Sequence, residues 1–156
     1  VDEIEIPGWF DAHEAAMVVL FAEALTVNAD LWEHGRDGLG ADLVERFTFA
    51  QAISPDELSR ARALRDGFRA ELAQVFDRYD AIAMVAMTAF PARIGAHSVA
   101  PNRAAAAVNL AGHPALVLPV PSGGVFPASV QLVAADGAEP LLLATAAVIE
   151  AAAASS

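Results

Sequence analysis

The sequence contains no lysine and no cysteine, and each absence excludes some chemistry. Without cysteine there are no disulfides, no thiolate metal ligands and no thiol nucleophile, although either redox compartment remains open. Without lysine, the 9 basic residues are all arginines, whose guanidinium stays protonated near neutral pH and cannot act as a general base. Positive charge is scarce altogether: 20 acidic residues give a formal net charge of −11. Phosphate backbones and anionic membrane surfaces are repelled by such a chain, so neither nucleic acid nor membrane is an expected partner. The longest apolar runs, 81–86 and 141–149, fall short of the roughly 20 residues that span a bilayer. A soluble chain is expected, with the cytoplasm as default location. No glycine-x-serine-x-glycine elbow occurs. The histidines His13, His34, His97 and His113 are widely separated, with none at metal-ligand spacing to another, so no metal or cofactor is expected.

What is present suits one compact unit of 156 residues. Apolar residues make up 56% and charged residues 19%, which is rich for a free-standing domain. Much of the excess is alanine, which favours closely packed helices; the rest either faces a partner or reflects an alanine-biased composition. The chain opens on Val1-Asp2-Glu3-Ile4-Glu5-Ile6-Pro7, without initiator methionine or leader, and a longer parent is the expectation.

The opening alternation predicts a short edge strand ended by Pro7-Gly8. Asp11 to Glu14 resembles a capping box and predicts a helix over about 12–34, with Met17, Leu20, Phe21, Ala24, Leu25, Asn28 and Leu31 on its buried stripe. A shorter helix over 41–50 turns Leu43, Val44 and Phe47 inward. Ser54-Pro55-Asp56-Glu57 supplies an N-cap serine, a proline at the first helical position and a capping-box glutamate, so a long helix covers 55–78. The run 81–87 is apolar on both parities, as in a central strand covered on both faces. After a loop over 88–102, a helix over 103–111 ends at Gly112. The runs 115–120 and 126–134 flank Pro121-Ser122-Gly123-Gly124 as a β-hairpin, and a last helix covers 141–154. The fold class is α/β, with helices packed on a mixed β-sheet in a single unit.

Several of these segments, in this order, resemble the C-terminal part of the amidase signature family. Tyr79-Asp80, the apolar strand and the loop Met87-Thr88-Ala89-Phe90-Pro91-Ala92 resemble its strand and proline-threonine-proline loop, without the proline before the threonine. Asn109-Leu110-Ala111-Gly112-His113-Pro114-Ala115 resembles the asparagine-x-alanine-glycine-x-proline-alanine turn, and 126–133 resembles the following block with its strand glutamine, Gln131. The segment from Arg46 to Ser54 resembles an arginine-bearing helix end, a turn and a capped helix, with Ala50 where glycine is common. The resemblance covers essentially the whole chain. It implies an α/β/α sandwich, and an amidase that cuts carboxamide C–N bonds through an acyl-enzyme. It also implies that the lysine and two serines of the catalytic centre lie upstream, so this chain carries no catalytic residue of its own.

Three positions remain candidates for substrate binding. Arg46 matches an arginine that, in members acting on glutamine, pairs with the substrate carboxylate; the alternative is an arginine near a helix C-terminus that interacts with its dipole. Thr88 and Phe90 sit after the carboxyl end of a strand, where ligands bind in open α/β sheets, and either wall an acyl pocket or belong to a link stiffened by Pro91. His113 reads as a structural donor, His13-Glu14 as helix capping, Asp77 and Asp80 as solvated carboxylates, and Ser122 as a turn residue. Two further classes stay open: a non-catalytic module that associates with a partner chain or itself, and an unrelated acidic α/β binding domain.

Overall fold

The computed structural model describes residues 1–94 and 103–155; His97 and the rest of the predicted loop's second half lie outside them. Helices α1 (Trp9–Val27) and α2 (Ala29–His34) are followed by a short 3-10 turn, Arg36–Gly38, then α3 (Ala41–Ala52) and α4 (Pro55–Phe76). Strand β1 (Ile82–Val85), α5 (Arg103–Ala111), the hairpin β2 (Ala115–Val120) and β3 (Ala128–Val133), and α6 (Glu139–Ala153) complete the order.

The helix predicted over 12–34 is two helices. It starts earlier than predicted, at Trp9, with Gly8 rather than Asp11 at its cap, which leaves Asp11 in a first turn whose dipole favours negative charge. It ends because Asn28 leaves the helical region and its amide Nδ2 donates to the Ala24 carbonyl at 2.8 Å, a side-chain bond that competes with the backbone ladder. The buried face is also rotated from the predicted stripe: Ala12, Ala15, Ala16 and Val19 are buried, whereas Leu20 and Leu31 are exposed. Small residues let α1 approach α4 and α5 closely, and that packing outweighs the larger side chains. Trp32 of α2 meets Phe47 of α3 edge-to-face at 5.6 Å. In α3 Phe47 is buried and Val44 half-buried, but Leu43 stays exposed. Helix α4 begins as predicted, the Ser54 hydroxyl accepting from the Glu57 N–H at 3.2 Å. It buries Ala61, Phe68 and Leu72; truncating the fully buried Leu72 would cost about 2–5 kcal/mol.

Residues 1–6 form no strand. Their backbone finds no ladder partner among the described residues, and the segment is held instead by Ile6 and Trp9 packing on the core, with Trp9 edge-to-face on Phe68 at 5.5 Å. The sheet has the order β1-β3-β2, so β3 is central and β1, predicted central, has a single neighbour among the described residues. Both pairings are antiparallel, with Met84 and Val117 opposite Gln131, and Val85 and Leu118 opposite Val130. The mixed pairing read from the sequence does not occur among these strands. β1 and β2 do run in the same direction, joined over α5, but the hairpin returns β3 into the space between them.

Consecutive residues of β3 point to opposite faces. Val133 joins Ile82 in a core with Ala12, Phe68, Leu72, Ala107 and Ala111, which places α1, α4 and α5 on that face. Leu132 joins Leu118, Leu142 and Ala146, which places α6 on the other. The result is the expected α/β/α layering. α5 ends where Gly112 adopts φ +73°, the left-handed cap that glycine occupies without a Cβ penalty.

Candidate functional site

The carboxyl end of β1 runs into the loop carrying Thr88 and Phe90. Because β3 is antiparallel to β1 in the register Val85 opposite Val130, the start of β3 lies beside that end. Between them is a cavity of about 570 Å³ lined by Val85, residues 87–92, Pro127, Ala128 and Ser129, a size that suits a small-molecule ligand. Its walls are mostly apolar, with the Thr88 and Ser129 hydroxyls as polar exceptions. Phe90 is 58% exposed. Thr88 and Phe90 are therefore brought together, and Pro127 and Ser129 join them, two residues of the 126–133 block that were not among the candidate binding positions.

Arg46 does not line this cavity. It is exposed in the middle of α3, makes no ion pair with a described residue, and stands outside the last turn of the helix. The helix dipole acts within that last turn, so it does not explain the arginine's position.

A larger hollow, about 870 Å³, lies at the outer edge of β1 between residues 1–9, Tyr79 and α6. It is lined by Asp2, Glu3, Tyr79, Thr145 and apolar groups, so two carboxylates and a phenol are its titratable groups.

The polar clusters elsewhere are structural. The Ser122 hydroxyl donates to the Phe126 carbonyl at 2.6 Å and accepts from the Gly124 N–H at 3.2 Å, so it closes the hairpin turn. His113 lies within 2.8 Å of the Asp136 carboxylate through Nδ1, and its ring stands edge-to-face on Phe76 at 5.2 Å. Arg69 reaches the same carboxylate at 3.2 Å and also donates to the Ala111 carbonyl. This set ties α4 to the turns after α5 and before α6. It resembles a histidine–aspartate dyad without a hydroxyl: the buried Nε2 of His113 has no partner among the described residues. His13 lies 3.9 Å from Glu14, and Asp77 and Asp80 are exposed. Among the described residues, no three histidine or carboxylate groups converge to hold a metal, and no helix is long and apolar enough to cross a membrane.

No family model matches the chain, and no curated protein matches it. Solved structures do. A crystal structure of an amidase superposes with a TM-score of 0.89 at 23% identity, over 98% of this chain and 38% of its own. A structure described as a vestigial protein complex revealing the origins of an s-triazine catabolic enzyme, with inhibitor bound, gives 0.84 at 22% identity, over 92% and 34%. A bacterial aryl acylamidase of the amidase signature family gives 0.70 at 17% identity, over 92% and 34%. The chain thus spans little more than a third of the length of these proteins, at identities that establish fold alone. Over that stretch it has the fold of the amidase-signature enzymes.

Proposed function

We propose that this chain is the C-terminal portion of an amidase that hydrolyses carboxamide C–N bonds through an acyl-enzyme, supplying sheet, helices and one side of the substrate pocket. The observation that carries the reading is the cavity beyond β1, walled by Thr88 and Phe90 on an amidase-signature fold. In this reading Phe90 packs on an apolar acyl group and Thr88 borders the carbonyl. The serine–serine–lysine centre comes from preceding sequence, and neither metal nor cofactor is required. Arg46 enters as a carboxylate receptor on a separate surface and needs a separate test. The cytoplasm is the proposed compartment. The test compares this chain with the complete protein in which it occurs, on simple aryl and aliphatic amides. Turnover by the complete protein and none by this chain supports the reading; turnover by the purified chain that persists in Ser122→Ala overturns it.

The second reading is a non-catalytic module that works by association with a partner chain or with itself. It draws on the large apolar side chains left exposed near the cavity, Val85, Met87, Val117 and Phe126, and on the fact that one similar structure is described as a protein complex. Light scattering on the purified chain separates the two: a well-folded monomer argues against the module.

A further inference from the structure

Ser129 stands where the sheet gives way to the cavity beyond β1. The Ala134 N–H donates to the Pro114 carbonyl at 3.1 Å, next to the pair Ala115 and Val133, and this bond fixes the alternation along β3. In an antiparallel pair, residues that exchange hydrogen bonds alternate with residues that do not. Ala128, Val130 and Leu132 therefore turn their N–H and C=O groups toward β2, while Ser129, Gln131 and Val133 turn theirs toward β1. Pro119, opposite Ser129, agrees with this, since a residue without an N–H fits a pair that exchanges none. On the other side Val133 and Gln131 meet Ile82 and Met84, but the pairing stops at Val85 and Val130. From there the chain leaves β1 for the loop that walls the cavity. Ser129 thus directs its N–H past the end of β1, into the gap between that loop and β3. Beyond the ladders, neither this N–H nor the Ser129 hydroxyl has a hydrogen-bond partner among the described residues. Ser129 is half-buried and lines the cavity, so its donors are within reach of a ligand there.

The rest of the wall limits what these donors receive. Among the described residues that line the cavity none is charged, and the chain as a whole has a formal net charge of −11. An anion would lose its hydration here without meeting a cation. A neutral carbonyl oxygen costs much less to desolvate, and its two lone pairs match the two donors. The volume of about 570 Å³ exceeds that of one amide group and leaves space for a second polar group in the acyl chain.

We propose that Ser129 is a specificity-determining residue whose N–H and hydroxyl hold a second, uncharged carbonyl in the acyl group of the substrate. The substrate class is then an amide whose acyl chain carries a ketone, ester or further amide on an otherwise apolar body. A free carboxylate at that place is rejected. The inference rests on the amidase reading, in which Thr88 borders the scissile carbonyl and Phe90 packs on the acyl group.

The experiment uses the complete protein, its Ser129→Ala variant and amides of nearly equal shape: 4-oxopentanamide has the ketone, pentanamide lacks it, and succinamate carries a carboxylate instead. Steady-state kinetics are measured together with thermal unfolding. The wild-type protein is expected to favour 4-oxopentanamide over pentanamide by about tenfold or more in kcat/KM, the scale of one buried hydrogen bond, and over succinamate by a wider margin. Ser129→Ala is expected to remove most of the preference over pentanamide, chiefly by raising KM for the ketone. Its melting temperature is expected to stay at the wild-type value, because the hydroxyl has no described partner to lose. Equal turnover of ketone and pentanamide by the wild type, an unchanged preference in Ser129→Ala, or succinamate turnover matching that of the ketone each overturns the proposal. A fall in kcat at constant KM puts the hydroxyl at the scissile oxygen and also overturns it. A melting temperature lowered by several degrees shows that the hydroxyl is bonded within the protein, with the same consequence. Turnover of aryl amides with none of these compounds overturns the proposal and leaves the amidase reading standing. If the wild-type protein cleaves no amide at all, the amidase reading falls by itself, and calorimetric binding of the same compounds decides Ser129. Ketone bound more tightly than pentanamide, with the difference reduced in Ser129→Ala, then retains it; equal binding or none removes it.

Discussion

Glu71 on α4 accepts the Gly8 N–H with both carboxylate oxygens, at 3.1 and 3.3 Å, across a separation of 63 residues. Gly8 is the cap of α1, and its own side-chain position offers nothing to the first orphan N–H groups of the helix. The carboxylate does this from another helix, and its negative charge lies at the positive end of the α1 dipole.

The first prediction follows from that pair. Glu71→Ala removes the cap and is expected to cost about 1 kcal/mol, as loss of a capping side chain does. Gly8→Ala is expected to cost at least as much, because an added Cβ would collide with the Glu71 carboxylate and lie against Phe68. Urea unfolding of the two variants measures both; wild-type stability in Gly8→Ala would show that Glu71 does not hold this place.

The His113 site predicts an asymmetry. Asp136→Ala leaves the enclosed His113 Nδ1 without its acceptor and is expected to destabilise by about 1–2 kcal/mol. His113→Phe replaces the ring with an apolar one beside Phe76, leaves exposed Asp136 to Arg69, and is expected to stay within about 0.5 kcal/mol of wild type. Equal losses for the two would contradict the structural assignment.

Phe90 is mostly exposed at the cavity mouth, so Phe90→Ala is expected to leave the melting temperature unchanged. In the complete protein it should lower kcat/KM for aryl amides about tenfold or more, with a smaller effect on acetamide, because the lost contact is apolar. Equal loss on both substrates would place Phe90 outside the acyl pocket.

Much of this architecture was legible because its signals are local. Ser54-Pro55-Asp56-Glu57 announces α4 through atoms within one turn, Gly112 announces the end of α5, and Pro121–Gly124 announces the hairpin. Contacts made at long range were not legible. The alternation at Val1–Ile6 suggested a strand, but a strand requires a neighbour, and this segment has none among the described residues. The run 81–87 was apolar enough for a central position, yet the hairpin inserts β3 beside it and leaves β1 at the edge of the three strands. The stripe through Met17 and Leu20 was the more hydrophobic choice for α1, but close approach of α4 and α5 favours the alanine face. At the candidate site, the loop carrying Thr88 and Phe90 falls at a strand end as the sequence suggested. The contribution of Pro127 and Ser129 depends on register, and the Arg69–Asp136–His113 set depends on three turns meeting, which no single window contains.

The proposed function puts the reacting serine in preceding sequence and leaves this chain to border the pocket. A fluorophosphonate probe that esterifies activated serines, followed by intact-mass and peptide analysis of the complete protein, tests it most directly. A single adduct is expected on a serine outside these 156 residues, with no adduct on this chain when it is treated alone. An adduct on Ser122, Ser129 or any other serine of this chain would contradict it.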